Sequence, residues 1–597
     1  MDMYSFYTGK SLNAHEYLGC HVTEEGTIFR TFAPAATRIT IIGEFNNWTE
    51  QEMYQVHNGQ FWECMITNAK PGMMYKYRIY RSDGIFIDHC DPYGYGMELR
   101  PNNASIIRDI HQYQFNDQKW LTKRNDCKNK PLNIYEVHLG SWKTNPNNEN
   151  GWYSYQEIAR QLIPYVKEKG YNYIEIMPIA EHPCDNSWGY QITGFFSPTS
   201  RYGTADDLKE MIDFCHQNEI GVILDFVPVH FAVDGYALSE YDGTRLYEYP
   251  NTDVGVSEWG SKNFIHSRGE VQSFLQSCAN YWLSEYHFDG LRMDAISNII
   301  YWHGIKERGV NTNAVEFIKY MNANLKQLHP GIMLIAEDST SYPNITKSVE
   351  NGGLGFDYKW DMGWMNDTLT FFKLNPEDRK QQYHKLTFSM MYYYDENFLL
   401  PFSHDEVVHG KATILQKMNG QYEEKFPQGR ALYMYMYAHP GKKLNFMGNE
   451  IGQLREWDEA REQDWDILQY PKHEAFALFM KDLSTVYLKN LALSEYDYSQ
   501  DGFKWIDCHQ EEACIYVFER KSNSQKMVVL LNLSSENQLY HLNTDAKYNE
   551  LSLMLSSDEK IYGGNGNYAK GTILKAENNI ISIEAPAFSA MYFEVMN

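Results

Sequence analysis

Between residues 133 and 449 the chain carries eight short apolar runs of strand length, and segments of helical periodicity fill the spaces between them. The runs are NIYEVHLG (133–140), YNYIEIMPI (171–179), IGVILDFV (220–227), FDGLRMD (288–294), IMLIAED (332–338), GFDYKWD (355–361), NFLLPFSH (397–404) and KLNFMGN (443–449). Strands alternating with helices imply βαβ units and a parallel sheet, and eight is the number that closes a (β/α)8 barrel. The helical reading rests on spacing. Leu208, Met211, Ile212 and Cys215 fall at i, i+3, i+4 and i+7, as do Val271, Phe274, Leu275 and Cys278, so each set forms one apolar face. A polar, aromatic stretch at about 231–262 is longer than an ordinary βα loop and is expected over the active-site face.

The flanks read differently. From Thr27 to Tyr80, runs rich in β-branched and aromatic residues alternate with turn formers, the pattern of a small β-sandwich. After about residue 490 short strands return, including ACIYVFER, KMVVLLNL and AMYFEVM, which predict a second all-β sandwich. The expected fold class is therefore α/β, a (β/α)8 TIM barrel between two β-sandwiches. The expected boundaries are 1–112, 113–490 and 491–597, and a chain of 597 residues is long enough for all three.

Several functions are disfavoured at this point. A formal charge of −25 lacks the basic footprint that nucleic acid or an anionic membrane requires. Nine cysteines without CxxC pairs suit a reducing compartment. The N-terminal segment has no charged region followed by an apolar one, and no apolar stretch approaches the roughly 18 residues of a membrane span, so a cytoplasmic protein is expected. There is no GxxxxGK[ST] loop, no GxGxxG after a strand and no GxSxG elbow. Without HxH or HxxxH spacing or a neighbouring Cys ligand, no catalytic metal is expected, and no cofactor.

Three of the runs place an acid at or beside their end: Asp294, Glu337 and, just past NFLLPFSH, Asp405. In a parallel barrel the carboxyl ends of the strands converge on one face, so residues far apart in sequence can meet there. Cleaving an acetal needs a proton for the leaving oxygen and a carboxylate for the oxocarbenium-like centre, and crowding acids together raises the proton affinity of one of them. The neighbours suit that chemistry. Arg292 lies two residues before Asp294 and so on the same side of a strand; His404 adjoins Asp405; Asp225 and His230 follow the third run. Taken singly, each residue has a plain reading as a cap or a salt-bridge partner. Together, on four strand ends, they point to an active site.

DFVPVH, DGLRMDA, IAED and FSHDE resemble the four signature regions of the alpha-amylase superfamily, in order. Within it, YEVHLGSW, SWGYQITGFFSPTSRYG, GFDYKWDMGWMNDTL and FSHDEVVHGK resemble the 1,4-alpha-glucan (glycogen) branching enzymes, and the likeness covers nearly the whole chain. The front module with APAATRITIIGEFNNW is similar to the carbohydrate-binding-like domain of branching and debranching enzymes, and the tail to their C-terminal all-β domain. With GTIFRTFAP so near the first residue, the further N-terminal module of some bacterial relatives is not expected here.

The resemblance implies Asp294 as nucleophile, Glu337 as general acid/base and Asp405 as the third carboxylate. It implies Tyr190 stacked on the cleaved sugar, with Asp225, His230, Arg292 and His404 completing its subsite. Val229 stands where many amylases place a calcium-binding Asn, so no calcium is expected there. The implied partner is an α-glucan, both donor and acceptor, and Trp188, Tyr190 and Trp360 are candidate acceptor platforms. Two other functions share parts of the pattern: a debranching or amylolytic hydrolase, and a glucan-binding protein on an inactive barrel.

Overall fold

In the computed structural model, which describes residues 1–124, 128–544 and 548–596, all eight runs form strands. They are β1 (Asn133–Val137), β2 (Tyr173–Ile176), β3 (Gly221–Phe226), β4 (Gly290–Met293), β5 (Met333–Ala336), β6 (Tyr358–Trp360), β7 (Phe398–Phe402) and β8 (Lys442–Phe446). They close a barrel in sequence order. Every residue of these strands is buried, as continuous apolar runs covered on both faces require. Gly290 serves β4 by its lack of a side chain, since a Cβ there would lie 2.5 Å from the Met333 carbonyl oxygen on β5.

The two helices read from spacing are α1 (Ala205–Gln217) and α2 (Gly269–Glu285), and all eight residues of their predicted apolar faces are buried. Helix α1 starts at Thr204, whose hydroxyl accepts from Asp207 N while Asp207 Oδ2 accepts from Thr204 N, a reciprocal cap. The stretch after β3 opens and closes on an antiparallel pair, His230–Phe231 with Lys262–Asn263.

The chain divides into two compact units. The first holds Met1–Asn125, His138–Gln161 and Glu175–Asp357, hence the front sandwich and β3, β4 and β5. That sandwich has two antiparallel sheets, one led by Gly26–Phe32 against Phe61–Ile66, the other by Arg38–Gly43 against Met74–Tyr80. Along Met74–Tyr80 alternate residues Tyr75, Tyr77 and Ile79 are buried, the period of a half-buried strand. The second unit holds Asp126–Val137, Leu162–Ile174 and Tyr358–Asn597. Its C-terminal part is a six-stranded sheet and a two-stranded one around Val517, Val528, Leu530, Leu551, Ile581 and Phe593. Among the described residues no helix is long and apolar enough to cross a membrane.

Buried histidines tie stability to pH. Burial pushes His15, His182 and His439 down to about 3, and His89, His230 and His266 down to about 4. Unfolded histidine takes up a proton near pH 6.5, so between 6.5 and 4 the unfolded chain binds more protons and stability falls with pH. His216 is the opposite case. Burial alone would lower it, but Asp289 and Asp117, at 3.0 and 2.8 Å, raise it to about 9, a contribution present below pH 6.5 and lost as pH rises through 9. Asp91 and Asp361, pushed up to about 6 by burial, and Asp294, Glu181, Glu248 and Glu450, raised by the same cause, offset part of the acid loss. Thermal melts are therefore expected to peak near neutral pH and to fall steeply below 6.5, by on the order of 1 kcal/mol per buried histidine at pH 5.5. A melting temperature flat from pH 7 to 5 would contradict this.

Candidate active site

Register brings the predicted residues of the first unit together. Asp225 on β3 pairs with Arg292 on β4, and Arg292 with Ile335 on β5. Because side chains alternate, Asp225, Arg292, Asp294 and Glu337 all project to one side. The ladder runs one step beyond the strands: Asp294 N donates to the Phe226 carbonyl (3.0 Å) and Glu337 N to the Met293 carbonyl (3.1 Å). Both carboxyls thus stand at the carboxyl ends of their strands.

A single guanidinium organises them. Arg292 is fully buried, and its Nη1 donates to both oxygens of Asp225 (2.6 and 2.7 Å) and to Asp294 Oδ1 (3.1 Å), while Nη2 donates to Glu337 Oε2 (2.6 Å). Tyr190 closes the group by donating its hydroxyl to Asp225 Oδ2 (2.5 Å). Ala295 adds a backbone donor. It sits at φ 48° and ψ 42°, a left-handed conformation uncommon for a residue with a side chain, and from there its N–H reaches Glu337 Oε2 at 3.0 Å.

Three carboxyls share one cation, and the imbalance shows in Asp294. Burial pushes its carboxyl well above the usual range; Arg292 pulls the other way and is outweighed, because Glu337 and Asp225 repel a second negative charge and a hydrogen bond with Glu337 favours the protonated form. Crowding of like charges thus favours the protonated form of Asp294, and the two carboxyls are held on the two terminal nitrogens of one guanidinium, Asp294 Oδ1 at 3.1 Å from Nη1 and Glu337 Oε2 at 2.6 Å from Nη2. His230 Nε2 lies 4.0 Å from Asp294 Oδ2, and its depressed pKa keeps the imidazole neutral, suited to binding a hydroxyl. Trp259, 47% exposed, sets its ring 5.2 Å from that of His230. It lies within the aromatic stretch at 231–262 but had no motif to mark it.

His404 and Asp405 lie in the second unit, just after β7. Glu136, at the heart of β1, holds His404 twice: Oε2 accepts the His404 backbone N–H at 3.0 Å and Oε1 lies 2.5 Å from Nδ1. A carboxylate can only accept, so Nδ1 carries a proton, and Nε2 lies 3.5 Å from Asp405 Oδ1. Glu136 is fully buried, whereas the Asp405 side chain is 41% exposed. Trp360 is only 2% exposed on β6, so it is packed in the barrel and offers no open platform; Trp188 is half-buried. Among the described residues one trio has metal-ligand spacing, His384, His509 and Glu511, and none of them is a predicted site residue.

Residues 17–94 match carbohydrate-binding module 48 (isoamylase N-terminal domain). Residues 142–242 and 260–526 match the alpha amylase catalytic domain, and 505–596 the alpha amylase C-terminal all-beta domain. The 1,4-alpha-glucan branching enzyme GlgB of Fusobacterium nucleatum is 46% identical over 94% of this chain and 92% of its own. That of Bacillus subtilis is 42% identical over 95% and 92%. Among solved structures, pullulanase type I from Bacillus subtilis complexed with maltose aligns at a TM-score of 0.75 and 17% identity, covering 97% of this chain and 85% of that one. A putative alpha amylase from Salmonella typhimurium aligns at 0.73 and 17%, covering 97% and 100%.

Proposed function

The chain belongs to the alpha-amylase family and, within it, to the 1,4-alpha-glucan branching enzymes, and from that membership we infer that it cuts an α-1,4-glucan chain and transfers it to a glucosyl 6-hydroxyl. The structural observation that carries this reading is the one buried guanidinium gathering Asp225, Asp294 and Glu337. It orders an acid and a nucleophile on one face, as a retaining double displacement needs.

The proposed roles follow from that arrangement. With a glucan bound between them, Glu337 holds the proton and Asp294 is ionised beside Arg292. Glu337 gives its proton to the glycosidic oxygen as Asp294 attacks the anomeric carbon; the C–O bond breaks and the leaving chain departs with its new 4-hydroxyl. Glu337, now a base, takes the proton of an acceptor 6-hydroxyl, whose oxygen displaces Asp294 and forms the α-1,6 bond with net retention. Retaining pairs stand about 5–5.5 Å apart and inverting ones about 6.5–9.5 Å, and the holding of both carboxyls by the one Arg292 guanidinium supports a close pair.

Asp405, by its place in FSHDE, is assigned to sugar hydroxyls and transition-state charge, with Tyr190, Asp225, His230 and His404 binding the cleaved unit. The bound glucan is the donor and the acceptor alike. A cytoplasmic setting is supported by the described cysteines, all of them unpaired.

Purified protein on amylose tests the activity, with iodine staining, reducing ends and an isoamylase digest followed together. Branching predicts lost stain, few new reducing ends and short chains released by isoamylase. Matching reducing ends would instead mean hydrolysis, and no change in either a binding role.

Glu136 is assigned as the positioning residue of His404. Glu136→Gln keeps the shape but weakens two hydrogen bonds to a charged acceptor, so kcat/KM is expected to fall about 10- to 100-fold. If His404 binds substrate, the loss extends to KM, and the variant's pH profile shifts with it; a drop in melting temperature alone would limit Glu136 to a structural part.

A further inference from the structure

Arg379 and Arg520 of the second unit are fully buried and Arg430 is 3% exposed. The first two have their terminal nitrogens engaged. Arg379 donates to the carbonyls of Leu533 (2.9 Å), Phe372 (3.2 Å) and Leu374 (3.4 Å) and to Gln428. Arg520 donates to the Ala438 carbonyl (2.6 Å) and to Asp497 Oδ1 (2.8 Å). Arg430 is different. Its Nε donates to the Ser557 carbonyl (2.7 Å), but among the described residues Nη1 and Nη2 meet no acceptor and no carboxylate. Burying a cation is costly, and burial lowers the affinity of this guanidinium for its proton to a pKa of about 10, against the opposing pull of the Asp558 carboxylate nearby.

Arg430 lines a partly open cavity of about 330 Å³ bordered by α3 (Tyr422–Ala438), the start of α4 (Pro471–Lys489) and the turns at 558–565 and 587–588. That volume suits a small molecule. Phe426, Tyr562 and Phe588 are its aromatic lining. The other charged groups around it are Glu423, Lys472 and Asp558. Asp558 is already committed, accepting the backbone N–H of Asn565 (3.0 Å) and of Gly566 (3.1 Å), and the Tyr562 hydroxyl is held by Asp482 (2.7 Å). The first turn of α4 has no side-chain cap, so its positive dipole end adds to the field of Arg430.

We propose that this cavity binds a small ligand bearing a phosphate or carboxylate on a ring-sized body, the oxyanion paired with Arg430 and the ring against Phe426, Tyr562 and Phe588. A guanidinium with two free nitrogens matches such an oxyanion bidentately. A neutral sugar would bring no charge to Nη1 and Nη2, leaving Asp558 as the opposing charge.

The test uses the full chain with inorganic phosphate, glucose 1-phosphate, benzoate and glucose as probes, read by calorimetric titration and thermal melts. At least one ring-bearing anion is expected to bind saturably and raise the melting temperature by about 1–3 °C, inorganic phosphate to bind more weakly, and glucose not at all. Preference for glucose 1-phosphate or for benzoate distinguishes a phosphate ligand from a carboxylate one. Arg430→Met should weaken binding at least 10-fold while leaving branching without ligand unchanged. Ala475→Trp, which fills the cavity and keeps the arginine, should do the same and stands in if Arg430→Met does not fold. Absence of saturable binding by every anion, or wild-type affinity in either variant, overturns the proposal.

Discussion

Asp294→Asn is expected to reduce branching by about 10⁴-fold or more while the protein stays folded, with a melting temperature equal to or above that of the unchanged chain. The two halves of this expectation have one cause. A nucleophile must be an anion, but Asp294 stands in a buried site where Glu337 and Asp225 already repel negative charge, and its carboxyl is raised well above the usual range in consequence. Folding therefore works against the charge that the reaction uses. Asparagine keeps the shape and an oxygen for Arg292, leaves Arg292 paired with Asp225 and Glu337, and relieves the crowding of three acids. Activity and stability should part company, as expected where stability is given up for function. Residual activity above a few per cent, assayed on material freed of wild-type protein, would remove Asp294 from the nucleophile's role. A melting temperature lowered by many degrees would show instead that its charge is needed by the fold.

That crowding was partly legible in the sequence. The barrel strands were readable because a strand covered on both faces must be apolar along its whole length, and runs such as IGVILDFV and IMLIAED have few other uses. Asp294 and Glu337 stood out because a charge at the end of such a run is unusual, and Arg292 because a spacing of two places it on the same side as Asp294. Glu136 did not stand out. It lies in the middle of β1, where an acid in YEVHLG looks like any strand residue, and its partner His404 is 268 positions away. The left-handed turn at Ala295 was equally hidden, since alanine carries no sign of positive φ; only the ladder around it shows why the chain bends there to give its N–H to Glu337. Trp360 was misjudged for a related reason. Composition marks an aromatic ring but not whether it is covered, and on β6 this one is buried.

Glu337→Gln should separate proton donation from nucleophilic attack. On amylose the leaving group is an alkoxide unless protonated, so losing the acid is expected to cost roughly 10³-fold or more in rate, general-acid effects being about 10²–10⁴ and the base role in transfer being lost as well. Glutamine still accepts from Arg292 Nη2 and from the Ala295 N–H, so the site should keep its form. Maltosyl fluoride changes the balance, because fluoride leaves without a proton. With that donor the first displacement by Asp294 should proceed at a rate much nearer the wild type, while the second, which needs a base to activate the acceptor hydroxyl, should stall. The covalent maltosyl enzyme ought then to accumulate, a mass increase on intact protein that maps to the peptide containing Asp294. Asp294→Asn should show neither the fluoride burst nor the adduct. If Glu337→Gln were as slow on the fluoride as on amylose, the residue would act through charge or position rather than through its proton. An adduct on Glu337 in the unchanged enzyme would exchange the two roles.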